Sequence, residues 1–150
     1  MRRFLTLAAF VVLVLGGGLL MGASNLPGPW YDALQKPWFN PPNWLFGPAW
    51  TTLYILIAIA GWRTYERKPR GNAMRLWWAQ LVLNFAWSPA FFTMHSIGLA
   101  LVVVTAMLLA ILGFVALTWN RDRPAALLFV PYAAWVSFAT ALNAAIWWLN

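Results

Sequence analysis

Five stretches of this chain, over residues 4–23, 47–63, 73–94, 97–119 and 124–149, are almost unbroken runs of apolar side chains. Each is close to the ~20 residues that a helix needs to cross a bilayer core. The last three contain a single charged residue, Arg75, near one end. None alternates apolar and polar positions as a barrel strand does. Backbone groups in lipid must be satisfied within their own segment, so the stretches are read as helices. Residues 93–96 and 118–123 suffice only for hairpin turns. The predicted fold is therefore an all-α membrane protein, a single domain over residues 1–150. It is a bundle of five transmembrane helices with the two ends of the chain on opposite sides. A longer connection over 24–46 joins the first helix to the second.

That connection leads the pattern out of ordinary loop chemistry. From Trp30 to Tyr54 the chain reads WYDALQKPWFNPPNWLFGPAWTTLY, with tryptophans at 30, 38, 44 and 50 and prolines at 37, 41, 42 and 48. Each proline removes a backbone donor and restricts the residue before it, so one long helix is not expected there. Tryptophan favours sites with one apolar and one wet end. The segment reads as a stiff, partly extended aromatic cap at a membrane surface, entering a helix near Phe46. Such a cap is the expected lid of a binding site.

Composition agrees. Of 150 residues, 63% are hydrophobic and only 9% charged, and 12 are tryptophan. A soluble domain carries about 25% charged residues. With no cysteine, disulfides and thiolate metal sites are excluded. The net charge of +7 would point to nucleic acid in a soluble protein, but the positions of the charges decide otherwise. Arg2, Arg3, Arg63, Arg67, Lys68, Arg70, Arg75, Arg121 and Arg123 share one side of the predicted bundle, and Lys36 stands alone on the other. The positive-inside rule then places the N-terminus in the cytoplasm and the lid outside. The basic side is read as a topology signal with attraction to anionic lipid, not as a nucleic-acid site. The first helix, though it follows Arg2 and Arg3 as a signal peptide would, is expected to be retained, because the lid needs its first anchor. Gly18 and Gly22 in that helix, and Ala106, Ala110 and Gly113 in the fourth, form small-residue faces. These suit bundle packing or a homodimer equally.

Helical spacing then gathers candidate site residues. Trp77, Gln80, Asn84, Trp87 and Phe91 share one face of the third helix, Tyr132, Trp135, Ala139 and Asn143 one face of the fifth, and Phe46, Trp50 and Tyr54 one face of the second. A single aromatic stripe is ordinarily core, and the ordinary role of amides such as Gln80 and Asn84 at membrane depth is an interhelical hydrogen bond. Three stripes converging beneath an aromatic lid instead suit a flat, rigid, largely apolar ligand. Indole N–H groups donate and never accept, so Trp50 and Trp135 are candidates to hold carbonyl or carboxylate oxygens without a charge inside the bilayer. His95, the only histidine, is expected to be a solvated turn residue, with no metal site. Asp32, Glu66 and Asp122 are scattered and form no acid–base pair, while Asp32 and Lys36 have the spacing of a short-helix ion pair. No nucleophile elbow, phosphate loop or dinucleotide fingerprint is present.

The spacing W-Y-x-x-L-x-K-P-x-x-x-P-P-x-W over 30–44, then W-x-x-L-Y at 50–54, closely resembles the TspO/translocator protein family. That family is also called tryptophan-rich sensory protein or peripheral-type benzodiazepine receptor. The resemblance continues in Q-L-x-L-N-x-x-W over 80–87 and P-Y-x-x-W-x-x-F-A-x-x-L-N over 131–143. It implies binding of porphyrins such as protoporphyrin IX and of isoquinoline carboxamide or benzodiazepine-type drugs, with no required cofactor. Trp50 and Trp135 match family positions implicated in ligand binding. The expected ligand set is Trp30, Tyr31, Trp38, Pro41, Phe46, Trp50 and Tyr54 from the lid side, with Asn84, Trp87, Trp135, Ala139 and Asn143 below. Lys36 is the one lid cation available to an anionic porphyrin. Some bacterial members are associated with light- and oxygen-dependent porphyrin breakdown, in which Trp50 and Trp135 would be the catalytic candidates. Transport is a third alternative, weakened by the near absence of charged residues within the bundle. The C-terminal ALNAAIWWLN lacks the Tyr and basic residue of the animal cholesterol motif. The chain therefore resembles a bacterial member in the inner membrane.

Overall fold

Residues 1–150 are all described by the structure, a computed structural model. It contains helices and no strand. Helix α1 covers Arg2–Ser24, with a single π turn at Val12–Gly16. A four-residue helix α2, Pro29–Asp32, sits inside the lid. Helix α3 is Asn43–Arg67. Helix α4 is Asn72–Ser88, continued by a π turn over Pro89–Thr93. Helices α5, Ile97–Thr118, and α6, Arg123–Leu149, complete the chain. Helices α1, α3, α5 and α6 are each long and apolar enough to cross a membrane. The 17 residues of α4 with the five of its π turn make the fifth member of the bundle.

Around the bundle the neighbours run α1, α3, α6, α5, α4, and the second half of α1 closes the ring against α4. The centre holds Ile57, Trp77, Phe114, Phe129 and Tyr132, all fully buried. Outward positions are no less apolar, with Val82, Val102 and Leu109 each about two-thirds exposed (65%, 64% and 65%). A water-soluble bundle would carry charge there. Here lipid is the solvent of the outer faces, and the protein is a multi-pass membrane protein in a bilayer.

Two helix boundaries differ from the sequence expectation. The second spanning helix begins at Asn43, not near Phe46, and Pro48 lies inside it. Proline in the second turn removes only the bond to the Trp44 carbonyl, and Trp44 is an exposed residue of the first turn. At its other end α3 runs on to Arg67, because the polar residues after Gly61 still bond within the bundle. Arg63 pairs with Asp122 through Nη2 to Oδ1 at 2.8 Å and Nε to Oδ2 at 3.3 Å. The Arg67 Nε is 3.6 Å from the same carboxylate. Asp122 is buried, and its two arginines tie the end of α3 to the turn between α5 and α6. This ion pair joins residues 59 apart in sequence, which no local pattern exposes. The anticipated Asp32–Lys36 pair does not form. Helix α2 ends at Asp32, so the i to i+4 helical geometry is missing. The Lys36 ammonium instead lies 4.4 Å from the centre of the Tyr31 ring and bonds the Asp32 and Leu34 carbonyls at 3.4 Å.

Candidate functional site

Beneath the lid a cavity of about 420 Å³ opens between α1, α3, α4 and α6, with Val104 and Met107 of α5 at its floor. Its size falls within the ~300–1,000 Å³ of small-molecule sites. Of the residues anticipated from sequence, Tyr31, Phe46, Trp50, Tyr54, Asn84, Trp87, Trp135, Ala139 and Asn143 line it. Trp30, Trp38, Pro41 and Lys36 do not. Trp38 is 94% exposed, pointing off the lid, and Trp30 stacks on the His95 ring at 4.2 Å with an 11° tilt. His95, expected as a solvated turn residue, is exposed but serves as a platform for the lid. Its φ of 54° places it in the left-handed region that the tight α4–α5 turn imposes.

The aromatic walls meet mostly edge to face. Trp50 and Trp135 are 6.4 Å apart at 90°, Phe46 and Trp135 5.9 Å apart at 74°, and Trp50 and Tyr54 5.6 Å apart. Behind them, polar groups hold the walls in place. The Tyr132 hydroxyl donates to Gln80 Oε1 at 2.7 Å and accepts from Asn84 Nδ2 at 2.7 Å. Gln80 then donates to the Trp77 carbonyl at 2.8 Å, and the Trp77 indole to the Ile57 carbonyl at 3.0 Å. Gln80 and Trp77 are thus fully buried behind the cavity, since their stripe on α4 is longer than the cavity is deep. Across the pocket the Trp87 indole donates to Asn143 Oδ1 at 3.0 Å, and Asn143 Nδ2 to the Ile97 carbonyl at 3.1 Å. These amides are spent on architecture.

One donor is not. Trp135 Nε1 is buried and has no hydrogen-bond partner. Buried donors are nearly always paired, so an unpaired one in a residue that lines a cavity stands out from the satisfied amides around it. Trp50, at right angles to it, likewise makes no hydrogen bond within the chain.

The lid is fastened at several points. Tyr31 is buried against Phe91 and Phe92, and Phe39 packs on Phe138. Burial pushes the Tyr31 phenol above its ordinary pKa, partly offset by the Asn40 amide. At the far edge the Asn150 side chain reproduces a backbone pairing with Gln35, accepting from its N–H at 3.1 Å and donating to its carbonyl at 2.9 Å.

Sequence reasoning missed the wall supplied by α1, where Gly18, Leu19, Gly22 and Ala23 line the cavity. Gly18 presses on the Tyr54 ring so closely that a Cβ would overlap it. The small-residue spacing of Gly18 and Gly22 is the available signal, and by itself it points to bundle packing or a homodimer rather than to a cavity wall. Asn25 completes the corner, donating to the Met21 carbonyl at 2.8 Å and accepting from Thr93 Oγ1.

Fold and site define a polytopic helical membrane protein with a lidded aromatic cavity in the half of the bundle away from its basic end. The TspO/MBR family model matches residues 9–149. The chain is 41% identical to the tryptophan-rich sensory protein of Cereibacter sphaeroides, over 85% of this chain and 81% of that one. It is 40% identical to protein CrtK of Rhodobacter capsulatus, over 86% and 83%. It is 38% identical to the human translocator protein, over 79% and 73%. The chain belongs to the TspO/MBR family.

Proposed function

We propose that this protein is a sensor or translocator that binds a tetrapyrrole of the protoporphyrin IX type beneath its lid. Its relatives' names, sensory protein and translocator protein, support the coarse role. The observation that carries the ligand class is the unpaired, buried indole N–H of Trp135, a residue that lines the cavity together with Trp50, Phe46 and Tyr54. A flat macrocycle stacks on such walls at ~0.5–1.5 kcal/mol per aromatic pair, and a carbonyl or carboxylate oxygen satisfies the donor. A neutral isoquinoline carboxamide offers the same acceptor and fits the same reading. Lys36 acts on the lid's own carbonyls and the Tyr31 face, so affinity rests on the indoles rather than on an ion pair.

The right-angled Trp50–Trp135 pair favours one second reading, light- and oxygen-dependent breakdown of the bound porphyrin. Trp135→Phe separates the two. As a binding donor, Trp135 contributes ~0.5–1.5 kcal/mol, so its loss weakens dark affinity for protoporphyrin IX by up to about tenfold in a fluorescence titration. As a redox participant, its loss abolishes light-dependent decay of the porphyrin absorbance and leaves dark affinity nearly intact. A Trp50→Phe, Trp135→Phe double variant unchanged in both would place the site elsewhere.

For orientation, the basic side faces the cytoplasm of a bacterial inner membrane under this reading. The chain has no native cysteine. In intact spheroplasts an impermeant thiol reagent should label Ala33→Cys on the lid and spare Asn120→Cys in the α5–α6 turn. The opposite pattern would reverse the orientation.

A further inference from the structure

A second groove, of about 410 Å³, runs down the outer face of the bundle at its basic end. Leu5, Ala9 and Leu13 of α1 form one wall, and Tyr65 of α3 and Trp78 of α4 the other. Phe10 is its buried floor, 5.6 Å from the Tyr65 ring and 6.2 Å from that of Trp78. Arg2 lies at the mouth. Arg2 makes no ion pair, whereas its neighbour Arg3 turns away to cover the Trp62 ring at 5.7 Å.

We infer that this groove binds one anionic phospholipid of the leaflet on the basic side, its acyl chain along Leu5–Ala9–Leu13 and its phosphate at Arg2. Length carries the first part. From Arg2 to Leu13 the helix rises about 16 Å, roughly half of the ~30 Å hydrocarbon core. The groove therefore begins at headgroup level and ends near the midplane, where a chain from a single leaflet ends. Charge carries the second part. The mouth holds an unpaired guanidinium, which matches phosphate geometry, and the acids Glu66 and Asp122 do not line it. Half-exposed Tyr65 and Trp78, 42% each, provide the amphipathic rims that interfacial aromatics favour. A second copy seated symmetrically on this face would set like charges together, so lipid is the better occupant.

The test uses the full chain in detergent, titrated with dioleoyl phosphatidylglycerol or dioleoyl phosphatidylcholine, with bound lipid counted by native mass spectrometry. One phosphatidylglycerol should be retained in preference to phosphatidylcholine. Arg2→Gln should reduce that preference about fivefold, the factor to which ~1 kcal/mol for a cation near an anionic surface converts. Arg121→Gln, on the same side but outside the groove, should leave it unchanged. Ala9→Trp, which fills the groove from an exposed helix position, should remove the retained lipid of either headgroup. Equal losses for Arg2→Gln and Arg121→Gln would reduce the effect to general surface attraction and overturn the site. Lipid retention unaltered by Ala9→Trp, or a changed dimer fraction without changed lipid, would overturn it as well. No porphyrin enters the experiment, so its outcome is independent of the ligand proposed for the cavity.

Discussion

Ala139→Trp should lower affinity for protoporphyrin IX by roughly ten- to a hundredfold while leaving a folded, helical protein. Ala139 stands one turn beyond Trp135 on α6, half-buried in the cavity wall. An indole there would occupy a large part of the space of about 420 Å³. Forcing a ligand against such an obstruction costs ~1–3 kcal/mol by the measure of overpacked sites, and each ~1.4 kcal/mol is a factor of ten in affinity. The cavity has room for the side chain without disturbing the Gln80–Tyr132–Asn84 bonds behind it. Ala134→Trp, on the exposed side of α6, is the control and should bind as the parent does. A fluorescence titration in the dark reads both. Equal losses at the two positions would mean that the cavity is not where the ligand sits.

The second large effect concerns stability. Gly61→Ala should destabilise the bundle by ~1–3 kcal/mol, and Gly61→Leu should prevent its assembly. A Cβ at Gly61 would overlap the six-membered ring and the Nε1 of Trp77. Trp77 cannot retreat, because it is fully buried, its indole is bonded to the Ile57 carbonyl, and Phe10 packs on it edge-on at 5.1 Å. The comparison is Gly16→Ala, where nothing lies within 4 Å of the added methyl. Relief of glycine's helix penalty should make that change neutral or slightly stabilising. Reversible unfolding in mixed micelles measures both variants. A Gly61→Ala protein as stable as the parent would show that α3 and α4 do not meet closely there.

Much of the fold was legible because a bilayer allows few solutions. Runs of about 20 apolar residues with no strand alternation leave only helices, and the short turns at 93–96 and 118–123 force neighbours to be antiparallel. The pocket was legible in part because a helix repeats its face every three to four residues. Trp50 and Tyr54, Asn84 and Trp87, and Trp135 and Ala139 with Asn143 could therefore be grouped before any coordinate. The same periodicity says nothing of depth. It placed Gln80 on the face of Asn84, yet Gln80 lies behind the wall, bonded to Tyr132. It also could not distinguish the lid residues that turn inward, such as Tyr31, from Trp38, which turns out.

The sequence by itself determined that the chain is a helical membrane bundle, that its charges gather at one end, and that an aromatic, proline-stiffened lid covers the other. These follow from composition and local spacing, which act on each segment alone. Only the tertiary structure decided which polar groups are used up and which are free. Asp122 found Arg63 59 residues away, Asn150 clasped Gln35 across 115, and Trp87 took Asn143 across 56. Trp135 was left with a buried N–H and no partner. Pairing across such distances depends on how five helices pack around one another, and hydrogen bonds reach only about 3 Å. No one-dimensional pattern carries that information.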